Sequence, residues 1–554
     1  MILLPLALAT AAGGATQQAQ KAGSRSPEQR PNFLFIVADD LGFTDISRLG
    51  SEIPTPQINA IADQGILFTR FYTSAMCSPT RAMLLTGVDH HRAGLGNMAD
   101  LLSANQRGKP GYEGYLNDQV VTVPRLLKDA GYHTYMAGKW HLGMAETQTP
   151  TARGFERSFA LMDGAASHFA DMAGATTFHP RAIYREDGEL VEALPADFYS
   201  TRFYTSRLID YIDAGLDDGK PFFAYAAYTA PHWPLQAPDD VRDKYASRYD
   251  EGYDQLRKQR FARLKARGLL PEGAEDPGRT ASVPPWQQLS AQDKALAARQ
   301  MEVYAAMIDD LDANIGRLLA FLRERGQLRH TFVVFLSDNG ADGFSLDRAP
   351  PHIADHAQHF DQSFDNIGRA NSFTFVGARW ADVSEAPFRL YKTMPSEGGI
   401  RSPAAIRYPM AGGPAGMINA HTTSVMDLAP TVLELAGVPH PGGEGADEPY
   451  AMDGRSLVPI IKGHQDAVRD AADTLGIELA GRRGIIKGHW KALHIPPPAG
   501  SGRWELFDLA TDPGEQLDLA AQRPEKLAEL IRDWDAYQAD AGIVLPERGA
   551  RLRR

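Results

Sequence analysis

Three scarcities bound the chain before any motif is considered. Cysteine is almost absent: Cys77 is the single one in 554 residues, so an intrachain disulfide is impossible and stability rests on the core even in an oxidising compartment. A basic surplus is missing too. The 57 Lys and Arg against 69 Asp and Glu leave a formal charge of −12, which argues against a nucleic-acid partner. Long hydrophobic runs are the third scarcity: the apolar stretch Met1 to Ala12 is too short to span a bilayer, and no later segment is apolar enough for a stable membrane anchor. What remains is an ordinary globular composition, 43% hydrophobic and 23% charged, in a chain long enough for two domains.

The amino end, an apolar run with no basic residue ahead of it and then the polar stretch from Thr16 to Arg30, has the pattern of a secretory signal. Residues 1–30 are therefore expected to be a signal peptide and disordered leader, and the mature protein to be periplasmic or secreted. From Pro31 onward, short apolar runs alternate with helix-like segments, the pattern of an α/β fold with a large, mostly parallel sheet sandwiched by helices. Four runs end in polar residues. Asn32 to Ala38 leads into Asp39-Asp40, His133 to Gly138 into Lys139-Trp140-His141, Phe222 to Tyr228 into Thr229-Ala-Pro-His232, and Thr331 to Leu336 into Ser337-Asp338-Asn339. Ligands of open α/β sheets bind beyond the carboxyl ends of the strands, so these four ends are expected to converge on one crevice.

A long helix is expected from about Ser290 to Arg325, with Met301, Tyr304, Ile308, Leu311, Ile315, Leu318 and Leu322 stepping by three and four, Ser290 as its cap and Gly326 as its stop. The basic piece before it, Arg257, Lys258, Arg260, Arg263, Lys265 and Arg267, reads as a solvated helix face followed by a surface loop. After a helix from Asp427 to Ala436, the Pro/Gly/acidic stretch Val438 to Pro449 reads as a linker. The chain thus divides into 31–445 and 446–554, the second a smaller α+β unit. Its strands are expected at Gly484 to Ile495 and Trp504 to Leu509, with a turn at Asp512-Pro-Gly514 and a helix from about Pro524.

Asp39, Asp40, Asp338 and Asn339 offer only oxygen ligands, which suits a hard cation, Ca²⁺ or Mg²⁺, and argues against zinc. Either pair alone is as well explained as a helix cap or turn; two pairs at equivalent strand ends favour a metal. A lone cysteine is by default a small buried hydrophobe. Cys77, however, sits in Cys77-Ser-Pro79-Thr-Arg81, at or just before the start of a helix, where free N–H groups and Arg81 would stabilise an anion.

Cys-x-Pro-x-Arg followed by Thr86-Gly87 resembles the signature of the type I sulfatases of the alkaline phosphatase superfamily, with Thr80 where serine is commoner. The resemblance runs through nearly the whole chain: Asp39-Asp40, Gly138-Lys139-Trp140-His141-Leu142-Gly143, Ala230-Pro231-His232, Ser337-Asp338-Asn339-Gly340, Tyr391-Lys392 before Glu397-Gly398-Gly399, and Leu506-Phe507-Asp508-Leu509. Within the family it is most similar to the bacterial arylsulfatases. It implies an alkaline phosphatase-like fold in which 31–445 is the catalytic domain.

The resemblance also implies a chemistry. Cys77 would be oxidised to formylglycine by a maturation enzyme that reads Cys77, Pro79 and Arg81. One hydroxyl of the hydrated aldehyde would attack the sulfur of an aryl sulfate, and the other would then expel sulfate. Asp39, Asp40, Asp338, Asn339 and the modified Cys77 would hold Ca²⁺, with Mg²⁺ the lesser candidate. Arg81 would hold the diol anion, and Lys139 and Lys392 would contact sulfate oxygens. His141 would take the diol proton, and His232 would bind sulfate and protonate the leaving oxygen. His90, His91, His168 and His179 match no motif and read as loop or packing residues. Two rivals remain at this point, a phosphonate or phosphate ester hydrolase of the same superfamily and a silent sulfate-ester-binding protein that is never matured.

Overall fold

The computed structural model describes residues 30–443, 445 and 448–547. The expected signal peptide lies outside them, as does the residue pair 446–447 at the expected domain boundary. The first strand shows why a sheet forms: all seven residues of β1 (Asn32–Ala38) are buried, Leu34, Ile36 and Ala38 on one face and Phe33, Phe35 and Val37 on the other. A strand apolar on both faces needs cover on both.

The strands that follow are β2 (Ile66–Tyr72), β3 (His133–Lys139), β4 (Arg157–Leu161), β5 (Tyr184–Glu186), β6 (Glu189–Leu190), β7 (Phe222–Ala227), β8 (Thr331–Ser337), β9 (Arg401–Arg407), β10 (Met417–Asn419) and β11 (Thr423–Ser424). They form one mixed sheet in the order β10-β2-β9-β8-β1-β7-β3-β4-β5-β6, with β11 also on β2. Its centre, β8-β1-β7-β3-β4, is wholly parallel. The four strands whose ends drew attention in the sequence are therefore side by side and point the same way.

Helices Ser200–Gly215 and Ala291–Glu324 cover one face through Leu208, Ile212, Met301 and Ile308; Cys77–Thr86, Val123–Asp129 and Leu428–Ala436 cover the other through Leu84, Leu127 and Val432. The long helix starts as expected, with Ser290 Oγ accepting from Asp293 N at 3.0 Å.

The basic helix Tyr253–Ala266 corrects one expectation. Arg257 and Arg260, three apart and so on one side, are buried: Arg260 pairs with Asp45 at 2.6 Å and Glu52 at 2.9 Å, and Arg257 with Asp276 at 2.8 Å. Lys258, Lys265 and Arg267 stay exposed. The carboxylates that neutralise the inner pair come from distant segments, which a charge run does not reveal.

The C-terminal unit is an antiparallel sheet of β12 (Thr474–Leu479), β13 (Arg482–Lys487), β14 (Trp490–His494) and β15 (Trp504–Asp508), with the helix Pro524–Asp540. The stretch Gly484 to Ile495, expected as one strand, is a hairpin that turns at Gly488 with φ 61°. Strand β12 was not expected, because Gly476 and Glu478 interrupt its apolar pattern. One side of the sheet packs Ile485, Ala492 and Leu506 on Leu530 and Trp534; elsewhere Leu493, Ile495, Phe507 and Leu509 meet Leu390 and Met394 of the larger unit.

Candidate active site

The helix Cys77–Thr86 is buried along its whole length and stops where Gly87 takes φ 71°. Its first residue projects at the carboxyl ends of the central strands. Cys77 Sγ lies 3.3 Å from Asp39 Oδ1 and 3.8 Å from Asp40 Oδ1. One turn on, Arg81 is clamped: its Nε donates to Asp338 Oδ2 at 2.8 Å and one terminal nitrogen donates to the Lys139 carbonyl at 2.8 Å. Lys139 Nζ is 3.0 and 2.7 Å from the two oxygens of Asp39. Lys392 Nζ is 2.7 Å from Asp40 Oδ2, and Asn339 Nδ2 is 2.7 Å from Asp40 Oδ1. His232 Nε2 reaches Asp40 Oδ2 at 3.4 Å.

Every expected site residue except His141 is thus linked to the rest by a direct polar contact. His141 stands beside the cluster with φ 57°, and its Nδ1 has no hydrogen-bond partner among the described residues. A Cβ added at Gly164 would come within 2.5 Å of its Cε1, so a glycine there is what lets the imidazole lie flat against the next loop.

Two residues of the site escaped the sequence reading. Asp342 Oδ2 lies 3.4 Å from Lys392 Nζ and accepts from Trp233 Nε1 at 2.9 Å. The available signal was a second acid in the same strand-end loop, three residues past Asn339. Trp233 adjoins His232 with ring centroids 4.9 Å apart, is stacked by Phe344 at 5.7 Å, and is backed by Phe373 and Phe375. Among the four histidines without a motif, His168 stands close behind the site: its Nε2 lies 3.1 Å from the His232 carbonyl and its Nδ1 2.7 Å from Ser200 Oγ. A carbonyl only accepts, so Nε2 carries the proton and Nδ1 accepts from the serine. Burial holds this ring neutral, with its pKa down to about 4. His90 and His91 are buried at the contact with the C-terminal unit, and His179 is half-exposed against Asp163.

The electrostatics separate the carboxylates. Burial raises the Asp39 carboxyl, but Lys139, His232, Arg81 and Lys392 outweigh it and hold it well below the usual carboxylate range. At Asp40 burial wins: Lys392 opposes it, Asp342, Asp39 and Asp338 reinforce it, and the pKa is pushed up to about 8. Asp338 is raised by burial and by Asp39. The Cys77 thiol is pushed well up by burial and by Asp338, so the unmodified cysteine is a protonated, inert thiol. His141 is held well below its ordinary value, chiefly by burial and by Lys139, and is a neutral imidazole.

The donor set fits a divalent cation. Asp39 and Asp40 both reach Cys77 Sγ, Asp338 Oδ1 accepts from Asp40 N at 3.3 Å and Asn339 Nδ2 lies on Asp40 Oδ1, while the Asn339 side-chain oxygen, Oδ1, is buried with no hydrogen-bond partner among the described residues. Three buried carboxylates, two of them pushed towards protonation, are what such an ion would neutralise. Asp39, Asp40, Cys77 and His232 also bring one ligand atom each within 4.8 Å of one another.

Comparison with known proteins gives the arrangement a lineage. The sulfatase family model matches residues 31–438, and the model for the C-terminal part of N-sulphoglucosamine sulphohydrolase matches 389–534. An uncharacterised sulfatase of Schizosaccharomyces pombe is 44% identical over 538 residues, covering 94% of this chain and 95% of its own. An arylsulfatase of Klebsiella aerogenes is 43% identical, covering 74% of this chain and 88% of its own. Among solved structures, Ps i-CgsB in complex with k-i-k-neocarrahexaose superposes with a TM-score of 0.67 over 94% of this chain and 96% of that one, at 23% identity. The family model over residues 31–438 and a relative 44% identical along nearly its full length show the family: the chain belongs to the sulfatase family, within the alkaline phosphatase superfamily.

Proposed function

We propose that the protein hydrolyses aryl sulfate esters to a phenol and inorganic sulfate at this cluster, with Cys77 matured to formylglycine and Ca²⁺ held by Asp39, Asp40, Asp338 and Asn339. The observation that carries the reading is the position of Cys77 Sγ, 3.3 Å from Asp39 at the mouth of the oxygen-ligand set and one helical turn from the clamped Arg81. When present, the cation supplies Lewis acidity and the aldehyde hydrate supplies a nucleophile with its own leaving route.

The chain's own residues have distinct tasks in this reading. Lys139 and Lys392, both held charged by buried aspartates, face the place where sulfate oxygens gain charge. Arg81 orients the nucleophile, its guanidinium fixed by Asp338 and the Lys139 carbonyl. His232 Nδ1 lies 2.6 Å from the Trp233 carbonyl and so keeps its proton there, which leaves Nε2 as the atom facing substrate. His141, neutral and with a spare nitrogen, is the base. The aromatic wall of Trp233 and Phe344 beside His232, together with the Klebsiella relative's name, supports a phenolic leaving group.

Maturation belongs to the same proposal. Because the whole helix Cys77–Thr86 is buried, the formylglycine-generating enzyme must read Cys77, Pro79 and Arg81 before that helix docks. The leader sequence supports export to the periplasm or beyond, and among the described residues no helix is long and apolar enough to cross a membrane. The larger unit, 31–445, carries the chemistry, and the C-terminal sheet with the helix Pro524–Asp540 packs beside it.

The test is hydrolysis of matched 4-nitrophenyl sulfate and 4-nitrophenyl phenylphosphonate by one matured preparation, with Cys77→Ala as control. A sulfate preference lost by orders of magnitude in Cys77→Ala is expected. Preference for the phosphonate would move the enzyme to phosphoryl transfer, and equal rates for Cys77→Ala would remove the nucleophile assignment.

A further inference from the structure

Lys392 sits on a stretch of backbone that resists its own conformation. Leu390 has φ 59° and Thr393 has φ 74°, so two residues with side chains flank the lysine in the left-handed region, and Thr393 is β-branched, the type least suited to it. Such a segment persists only if its surroundings over-determine it. From the larger unit, Lys392 N donates to the Ala341 carbonyl at 3.0 Å and Thr393 N to the Ala75 carbonyl at 2.8 Å, two residues before Cys77.

Further restraints come from the C-terminal unit. Arg389 reaches Glu505 at 3.2 Å and Glu515 at 3.4 Å and lies over the Phe507 ring at 4.9 Å. Leu390 and Met394 pack against Leu493, Ile495, Phe507 and Leu509. Arg482, the first residue of β13, donates from Nη1 to the Thr393 carbonyl at 3.0 Å. Arg482 makes no ion pair among the described residues, and burial lowers its pKa to about 10 against the pull of Glu478. Arg482 is half-buried, and its hydrogen bond to the Thr393 carbonyl ties the C-terminal sheet to the residue after Lys392.

We propose that Arg482 is a positioning residue of the active site: by holding the Thr393 carbonyl it fixes the left-handed turn after Lys392, and with it the placement of Lys392 Nζ against Asp40 and Asp342. The C-terminal sheet then completes the site although none of its side chains reaches the reacting atoms. The inference rests on the reading that Lys392 contacts the sulfate group, and it predicts a defect in turnover rather than in substrate capture, because a small displacement of a charge-stabilising group is felt most in the transition state.

The experiment uses the full-length matured enzyme with 4-nitrophenyl sulfate and four variants: Arg482→Met, Arg482→Lys, Arg482→Met with Thr393→Gly, and Lys392→Met. Lys487→Met serves as control, since Lys487 lies on the same strand but, among the described residues, pairs with Glu529 and Asp533 inside the C-terminal unit. Arg482→Met is expected to lower kcat by about tenfold to a hundredfold with little change in KM. Arg482→Lys, which keeps a donor, should recover most of that loss. The double variant should recover part of it, because glycine adopts the turn without support. Lys487→Met should retain wild-type kcat. A folded Arg482→Met with wild-type kcat, or an Arg482→Lys or double variant no better than Arg482→Met, would overturn the positioning role while a defective Lys392→Met left the site assignment standing. Wild-type kcat in Lys392→Met would overturn both.

Discussion

Two buried clusters of charge lie a short way apart in this molecule, and they behave oppositely. In the clasp between the two units, Lys491 Nζ sits 2.8 Å from Glu397 and 2.7 Å from Glu515, Arg401 adds a contact to Glu397 at 3.2 Å, and the Tyr72 hydroxyl donates to the same carboxylate at 3.0 Å. Burial pushes Glu397 up, but Lys491 and Arg401 outweigh it and its pKa falls below the ordinary value. In the active site Lys139, Arg81 and Lys392 face Asp39, Asp40, Asp338 and Asp342, and there Asp40 rises to about 8 while Asn339 Oδ1 and His141 Nδ1 lack partners among the described residues. A charge cluster that satisfies itself is structural; one left short of positive charge and with spare polar atoms is built for something that arrives later.

The sharpest way to probe that contrast is to remove the cation from the self-satisfied cluster. Lys491→Met should remove the shared cation between Glu397 and Glu515, leaving each with one more distant arginine, Arg401 at 3.2 Å and Arg389 at 3.4 Å, and lower unfolding free energy by about 3–5 kcal/mol, read from the urea midpoint. A loss under about 1 kcal/mol would place the clasp with ordinary surface pairs.

A third group of charges, at the same contact between units, offers a pH-dependent version. His91 lies 2.8 Å from both Asp89 and Glu478, its ring beside His90 and with the Tyr537 hydroxyl donating to Asp89 at 2.8 Å. Burial lowers the His91 pKa, but Asp89 and Glu478 outweigh it and raise it to about 9. The folded value exceeds the unfolded one, near 6.5, so the stabilisation is complete below about pH 6.5 and is lost as pH rises through about 9. It amounts to about 3 kcal/mol. Urea melts between pH 6 and 9.5 should show that decline in the wild type and a flatter curve for His91→Gln; parallel curves would refute the raised value.

The smallest expected effect concerns the ion. At a hundredfold excess over its dissociation constant, Ca²⁺ should add about 2.7 kcal/mol to unfolding free energy. The same Tm rise should appear in Lys491→Met, because the clasp takes no ion, and should vanish in Asp338→Ala. An undiminished rise in Asp338→Ala would move the cation elsewhere.

The fold was readable because each central strand is apolar on both faces, a local property that survives in one dimension, and because the polar residues follow each strand immediately. Asp39, Lys139, His232 and Asp338 could thus be grouped before their distances were known. Trp233 and Asp342 were overlooked for the opposite reason: nothing beside them in the chain marks a tryptophan as a wall or a second loop acid as a partner of Lys392. The inward turn of Arg257 and Arg260 and the hairpin at Gly488 were missed on the same ground.

Chain order and composition carried the residue types, the strand polarity and the family motif, since these depend on neighbours a few positions away. The balance of charge around Asp40, the strain on either side of Lys392 and the reach of Arg482 from a second sheet exist only once segments hundreds of residues apart are packed together. Electrostatic and steric terms depend on distance in space, and that distance has no counterpart along the chain.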